Sequence, residues 1–341
     1  PSPAIREERA FGGEGGKMKR PELHVSMSPF VHSGNSVQKI MRDNFLALVP
    51  VLFAGWFYYG WGALETVLIC AVAAVATELI WQKLMGQKIR ITDGSALVTG
   101  VLLGLVLSSL VPWWLAVAGS VVAIIVGKQL LGGLGSHPFN SVVVGWAFVQ
   151  VSYAQTMKDF PIPHPKFGLE VGKYLADPAL IAMKEDLEMF NWVPRMDLFI
   201  GNVPGEIGTG CVLAILLGGI YLILKKHITW HIPVSFIVST WILAFIFWKV
   251  NPEVYVHPTY HILSGWIMLG AFFLAPEMGT APLSAPGMII YGIGCGLLTM
   301  IIRIWGGYME GVPFAILLMN GLTPILDRIR PRAVGRRVEI A

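Results

Sequence analysis

Gly132-Gly133-Leu134-Gly135-Ser136-His137-Pro138-Phe139-Asn140 returns roughly 175 residues later as Gly306-Gly307-Tyr308-Met309-Glu310-Gly311-Val312-Pro313-Phe314-Ala315. The distance from first glycine to proline differs by one residue. Each copy lies between apolar stretches, so glycines and a proline interrupt the chain where lipid would otherwise demand an unbroken helix. Broken backbone at membrane depth persists only where protein or a polar cavity satisfies the freed N–H and C=O groups. Interrupted segments in corresponding halves of a chain point to a site between those halves.

The composition sets the class. Of 341 residues, 55% are hydrophobic and only 13% charged, which excludes an ordinary soluble globule and predicts a polytopic membrane protein. Several of the twelve tryptophans stand near the ends of apolar runs, among them Trp56, Trp61, Trp113, Trp114 and Trp230, as an interfacial belt requires. The net charge of +4 comes mostly from the two ends and forms no basic stripe interleaved with aromatics, so no nucleic-acid partner is expected. Cys70, Cys211 and Cys295 make no CxxC or Cys/His set, and neither a metal site nor a disulfide is expected. The polar stretch Pro1–Met27, with Gly12-Gly13-Glu14-Gly15-Gly16, reads as a mobile cytoplasmic arm.

Apolar runs long enough to cross about 30 Å fall near 43–60, 62–84, 94–110, 113–131, 139–154, 207–225, 230–249, 258–275, 284–303 and 308–325. Basic residues crowd alternate connections. Lys17, Lys19, Arg20, Lys39 and Arg42 precede the first run, Lys83, Lys88 and Arg90 follow the second, Lys225 and Lys226 the sixth, and Arg328, Arg330, Arg332, Arg336 and Arg337 the tenth. By the positive-inside rule both termini are cytoplasmic, with the acid-rich loop from Gln155 to Glu206 outside. The expected fold is therefore an all-α polytopic membrane protein of about ten transmembrane helices, a 5+5 inverted repeat with interrupted helices. Its parts are residues 1–42 as cytoplasmic arm and membrane-entering segment, 43–154 as first repeat, 155–206 as outer loop, 207–326 as second repeat and 327–341 as basic cytoplasmic tail.

Several polar groups sit where the helices begin, end or break. Ser33-Gly34-Asn35-Ser36 precedes the first run and supplies hydroxyls to cap it. Asp93 can cap the third run, along which Gly94, Ser95, Thr99, Gly100 and Gly104 offer a small or hydroxyl surface to a neighbouring helix or a flat ligand. Lys128 and Gln129 end the fourth run, and Arg303 and Glu310 flank the connection between the ninth and tenth; snorkelling competes with a site role for these cations. Ser264, Gly265, Glu277 and Thr280 mark the broken eighth run. The candidate binding residues are thus Ser95, Thr99, Lys128, Gly132, Gly133 and Asn140 in the first half and Ser264, Gly265, Glu277 and Thr280 in the second. No nucleophile–base pair, Walker loop or dinucleotide fingerprint is present, so no catalytic residue is assigned. An enzymatic role is expected only within a larger complex.

Longer stretches carry a resemblance. Ser33–Met41, Thr92–Gly100, Gly127–Gly135, His137–Asn140, Pro204–Gly208, Ile228–Pro233, Ser264-Gly265, Leu269–Phe273, Ile302–Gly307 and Glu310–Phe314 are similar, in order, to the NqrB/RnfD family and are nearest to its RnfD branch. The resemblance implies a membrane subunit of a redox-driven Na⁺ or H⁺ translocating complex in a bacterial or archaeal cytoplasmic (inner) membrane. Electrons there pass from ferredoxin to NAD or another acceptor, and the partners include iron–sulfur and flavin proteins. It further implies an FMN held through its phosphate by a threonine of the outer loop, and a non-covalent flavin, riboflavin or FMN, in the membrane core. A stand-alone channel or secondary transporter for a small solute, built on the same inverted repeat, is the alternative reading.

The chain departs from the family pattern at the first of these cofactors. Asp177 falls where the attachment threonine belongs, and no threonine occurs between Thr156 and Thr209. A carboxylate cannot form that phosphoester and repels the phosphate, so covalent FMN is expected to be absent. Two further departures are Ser141 and Trp146, where relatives usually carry Pro and Arg. A third is Gly208-Thr209-Gly210-Cys211, where Gly-Glu-Thr-Ser is usual.

Overall fold

The computed structural model describes residues 36–163, 194–308 and 310–329. The cytoplasmic arm, Asp177 and nearly all of the basic tail expected above lie outside the described residues. All the regular elements among them are helical: α1 (Val37–Tyr59), α2 (Trp61–Leu84), α3 (Ser95–Leu105), α4 (Trp113–Ile124), α5 (Ser141–Ser152), α6 (Arg195–Ile200), α7 (Val212–Leu224), α8 (His231–Val250), α9 (Pro258–Leu263), α10 (Ile267–Leu269), α11 (Ala285–Trp305) and α12 (Val312–Leu326). Short π-helical turns, Ile125–Gln129 and Gly270–Leu274, extend α4 and α10.

Local sequence explains where these helices begin. Ser36 caps α1 by accepting from the Lys39 amide at 3.2 Å, as the hydroxyl cluster before the first run predicts. Asp93 Oδ1 accepts from both the amide and the hydroxyl of Ser95, at 2.9 and 2.7 Å, across the left-handed Gly94 at the head of α3. Asn140 heads α5, its Oδ1 accepting from the Val143 amide at 3.1 Å. Ser284 does the same for α11 through the Gly287 amide.

Four helices, α1, α2, α8 and α11, are long and apolar enough to cross a membrane. The other apolar runs are realised differently from ten uniform spans. Ser95–Leu105, Trp113–Gln129, Ser141–Ser152, Val212–Leu224 and Val312–Leu326 are shorter apolar helices. The run 258–275 breaks into α9 and α10 at Ser264-Gly265, where Gly265 takes φ 69°. The reason is the one the glycine-proline segments announce: α5 and α12 start only after loops that carry buried polar groups, His137 and Asn140 in one and Glu310 in the other, so each has fewer residues left for helix.

The two opening segments are alike in sequence and unlike in backbone. Gly132, Gly133 and Gly135 all have positive φ, near 107°, 87° and 86°, a region open at little cost only to glycine. Gly306 lies at φ −73°, and its glycine is required instead by space, because an added Cβ would run into the Ile302 carbonyl.

Helices pack as α1 on α7, α2 on α3 and α4, α4 on α5, α8 on α11, α11 on α12, and α5 on α12. Small residues allow the closest of these approaches. A Cβ on Gly100 would lie 2.7 Å from the Ala71 Cα, and one on Gly104 2.6 Å from the Val67 Cα, so α3 rests backbone to backbone on α2. One apolar cluster runs through both halves, from Leu48 and Val67 through Leu103 and Trp266 to Tyr291 and Ile316.

Candidate functional site

The most polar feature of this interior is a lysine. Lys128, in the π-turn that ends α4, is 2% exposed and far from snorkelling to an interface. Its Nζ donates to both oxygens of Glu78, at 3.0 and 2.9 Å, and to the Ser95 hydroxyl at 2.6 Å, which uses all three ammonium protons. Glu78 comes from α2 and also accepts from the side-chain amides of Gln129 at 2.7 Å and Gln82 at 3.1 Å. A buried ion pair persists when geometry and further hydrogen bonds offset desolvation, and here every charged atom has a partner.

This cluster separates two spaces. On one side is an open vestibule of about 610 Å³ lined by Gln82, Lys88, Arg90, Asp93, Gly132 and Gly133 among others. On the other is a more enclosed cavity of about 70 Å³ bordered by Ser95, Thr99, Lys128, His137, Asn140 and Glu277, with Phe272 and Phe273 as aromatic wall. Of the ten predicted binding residues, five line the inner cavity: Ser95, Thr99, Lys128, Asn140 and Glu277. Thr280 sits just behind Glu277, its hydroxyl 3.5 Å from Oε2. Gly132 and Gly133 line the vestibule instead. Ser264 and Gly265 lie elsewhere, in a second cluster.

The cavity also joins the halves. Asn140 Nδ2 donates to the Leu274 carbonyl at 2.9 Å, tying the head of α5 to the π-turn after α10. His137 reaches the Gly133 carbonyl through Nδ1 at 3.3 Å and Glu277 through Nε2 at 3.4 Å. Burial alone would lower the His137 pKa, but the hydrogen bond and charge of Glu277 raise it above the usual histidine value. Because the folded value lies above the unfolded one, this link contributes fully below about pH 6.5 and fades as pH rises through the folded value. The destabilisation caused by His137→Asn should therefore be larger at about pH 6 than at about pH 8.5, measured as the thermal midpoint in detergent, and Glu277→Gln should abolish that pH difference.

Sequence reasoning did not single out Glu78, Gln82, His137 or the pair Asp43–His227. His227 Nε2 lies 2.7 Å from Asp43 Oδ2, with Tyr221 beside it, while its Nδ1 is buried at the cavity without a partner among the described residues. A signal for Glu78 was present, since an acid within an apolar span is costly unless used. Asp43 and His227 carry no comparable mark, because both lie at span ends where charges are ordinary.

The second cluster repeats the first in kind. Arg303, near the end of α11, is 6% exposed and grips Glu310 at 2.9 and 3.1 Å through Nη2. It also donates to the carbonyls of His261 at 2.8 Å and Ser264 at 3.1 Å, closing the broken end of α9. Glu310 in turn accepts from the amides of Trp266 and Val312, heading α10 and α12. Ser264 and Gly265 thus serve the break itself. A lysine in one half and an arginine in the other each anchor a carboxylate beside an interrupted helix.

The inner cavity does not suit a flavin in this geometry. Pockets for ligands of that size span about 300–1,000 Å³. The space here is about 70 Å³, and Lys128, Ser95 and Thr99 already spend their side-chain donors on protein, as Asn140 does one of its two amide N–H groups. Among the described residues that line it, His227 Nδ1 is the buried polar atom left free, an acceptor when Nε2–H points at Asp43.

Four helices long and apolar enough to cross a membrane, short apolar helices beside them, and two buried ion pairs define a multi-pass helical membrane protein with charge held at its interior. The model of the NQR2, RnfD, RnfE family matches residues 24–335, and the chain belongs to that family. It is 39% identical over 313 residues to the D component of the Na⁺-translocating ferredoxin:NAD⁺ oxidoreductase complex of Acetobacterium woodii, covering 91% of this chain and 94% of that one. It is 36% identical over 348 residues to the D component of the ion-translocating oxidoreductase complex of Erwinia tasmaniensis, and 34% identical to that of Escherichia coli K12; in both cases 92% of this chain and 99% of the relative are covered.

Proposed function

We propose that this chain is the RnfD-like membrane subunit of a redox-driven complex that moves Na⁺ or H⁺ across a bacterial or archaeal cytoplasmic membrane. The observation that carries the reading is the near-full-length similarity to the D components of ion-translocating oxidoreductase complexes. The buried Lys128–Glu78 pair adds a physical reason: an ion pair between an open vestibule and an inner cavity is a place where a translocated charge meets fixed charge.

The proposal extends to architecture. The pairing of α1 with α7 and α5 with α12, and the matching sets α4–α5 and α11–α12, support a 5+5 inverted arrangement of about ten crossings. Lys128 before Gly132-Gly133 and Arg303 before Gly306-Gly307 occupy corresponding places in it. The basic connections favour both termini on the cytoplasmic side. The partners are other membrane and peripheral subunits, iron–sulfur and flavin proteins among them. A non-covalent flavin belongs to this proposal for the assembled complex and is not assigned to the closed cavity at Lys128.

Covalent FMN does not belong to it. After denaturing electrophoresis, the band at the mass of this chain should show no flavin fluorescence under ultraviolet light. A fluorescent band there would overturn the absence argued from Asp177. The stand-alone transporter reading predicts solute uptake into liposomes holding this chain alone, whereas the subunit reading predicts none.

A further inference from the structure

A third polar space lies apart from the Lys128 cavity. Ser108, Trp146, Gln150, Met157, Phe160, Glu206, Tyr308 and Glu310 enclose about 20 Å³, enough for one water, which needs about 10–15 Å³. Two carboxylates border it, but the nearby guanidinium of Arg303 is already committed to Glu310. Glu206, in the turn ahead of α7, accepts from the Thr209 hydroxyl, 2.6 Å from its Oε2. Trp146 is 3% exposed, lines the space, and buries an indole N–H with no hydrogen-bond partner among the described residues. Its ring packs against Trp266 at 4.8 Å and Phe314 at 5.8 Å, so it has no freedom to turn that N–H elsewhere.

A donor without an acceptor, beside two carboxylates with one cation, is an unbalanced arrangement. One water balances the donor by accepting from Trp146 Nε1–H while donating O–H hydrogen bonds to carboxyl oxygens. One proton balances the charge. We propose that Glu206 and Glu310 form a proton-holding carboxyl–water–carboxylate unit, with the proton on Glu206 and the water fixed by Trp146. Burial raises the Glu206 pKa against the opposing hydrogen bond from Thr209, and the Glu310 charge adds to the rise, in keeping with this assignment. The charged or titratable groups around Glu206 are Glu310 with its Arg303, Tyr308 at the rim, and Tyr59, whose hydroxyl is given to the Val203 carbonyl. The unit does not depend on how electrons pass.

Infrared spectroscopy of the purified complex in H₂O and D₂O tests it. At neutral pH the carboxylic C=O stretch of a protonated side chain should be present, should be lost in Glu206→Gln, and should remain in Glu253→Gln, which alters an exposed acid. Trp146→Phe keeps an aromatic ring and removes the N–H, and should shift the band. An identical spectrum in wild type and Glu206→Gln overturns the protonated glutamate, and an unshifted band in Trp146→Phe overturns the water. If Glu206→Gln does not accumulate, the Trp146→Phe comparison decides alone: a shifted band supports the unit and an unchanged spectrum overturns it.

Discussion

Lys128→Met should destabilise the protein by about 3–5 kcal/mol, the range for stranding one partner of a buried ion pair. The substitution keeps a long apolar stem and removes only the charge and its donors. Glu78 would then hold a buried carboxylate supported by two glutamine amides and no cation, and the Ser95 hydroxyl would lose the ammonium while keeping Asp93. The double variant Glu78→Met/Lys128→Met should recover most of the loss, because no unpaired charge remains. Thermal midpoints of the two single variants and the double variant in one detergent provide the comparison. An unchanged midpoint in Lys128→Met would show that the lysine reaches solvent.

Arg303 should tolerate even less. Arg303→Met also strands a carboxylate, with an expected loss of about 3–5 kcal/mol, and it further frees the carbonyls of His261 and Ser264 at the end of α9. Arg303→Lys restores charge but not the planar fork, since three ammonium donors cannot reproduce a bidentate grip on Glu310 together with two carbonyl bonds. It should fall between wild type and Arg303→Met in thermal midpoint and in yield of folded protein. Lys and Met variants of equal stability would mean that charge at position 303 is irrelevant.

Membrane character and helical class follow from composition and run length, because lipid forces backbone groups to be satisfied within helices. The repeated Gly-Gly…Pro-Phe segments marked where helices open: α5 begins at Ser141, three residues beyond Pro138, and α12 at Val312, one residue ahead of Pro313. Helix lengths were not legible. Hydropathy cannot distinguish a span from a shorter helix joined to an interior loop, as Ser95–Leu105 and the broken run 258–275 illustrate.

The site was half legible for a related reason. Ser95, Thr99, Lys128, Asn140 and Glu277 share one cavity because each stands near a helix opening or end, which pattern reveals. Lys128 and Arg303 were open to a snorkelling reading, since nothing local shows that Glu78, 50 residues upstream of Lys128, comes to meet it. Ser264 and Gly265 stand at an opening too, yet theirs is closed by Arg303 rather than by the cavity. Which opening serves which space is decided by packing between helices distant in sequence.

That this chain works as one subunit of a redox-driven pump is tested most directly by isolating it from its native membrane under mild detergent and taking the subunit, iron, sulfide and flavin inventory of what comes with it. The predicted result is a stable complex containing iron–sulfur and flavin proteins, with no flavin bound covalently to this chain. Recovery of this chain alone, free of redox partners and able by itself to carry solute into liposomes, would contradict it.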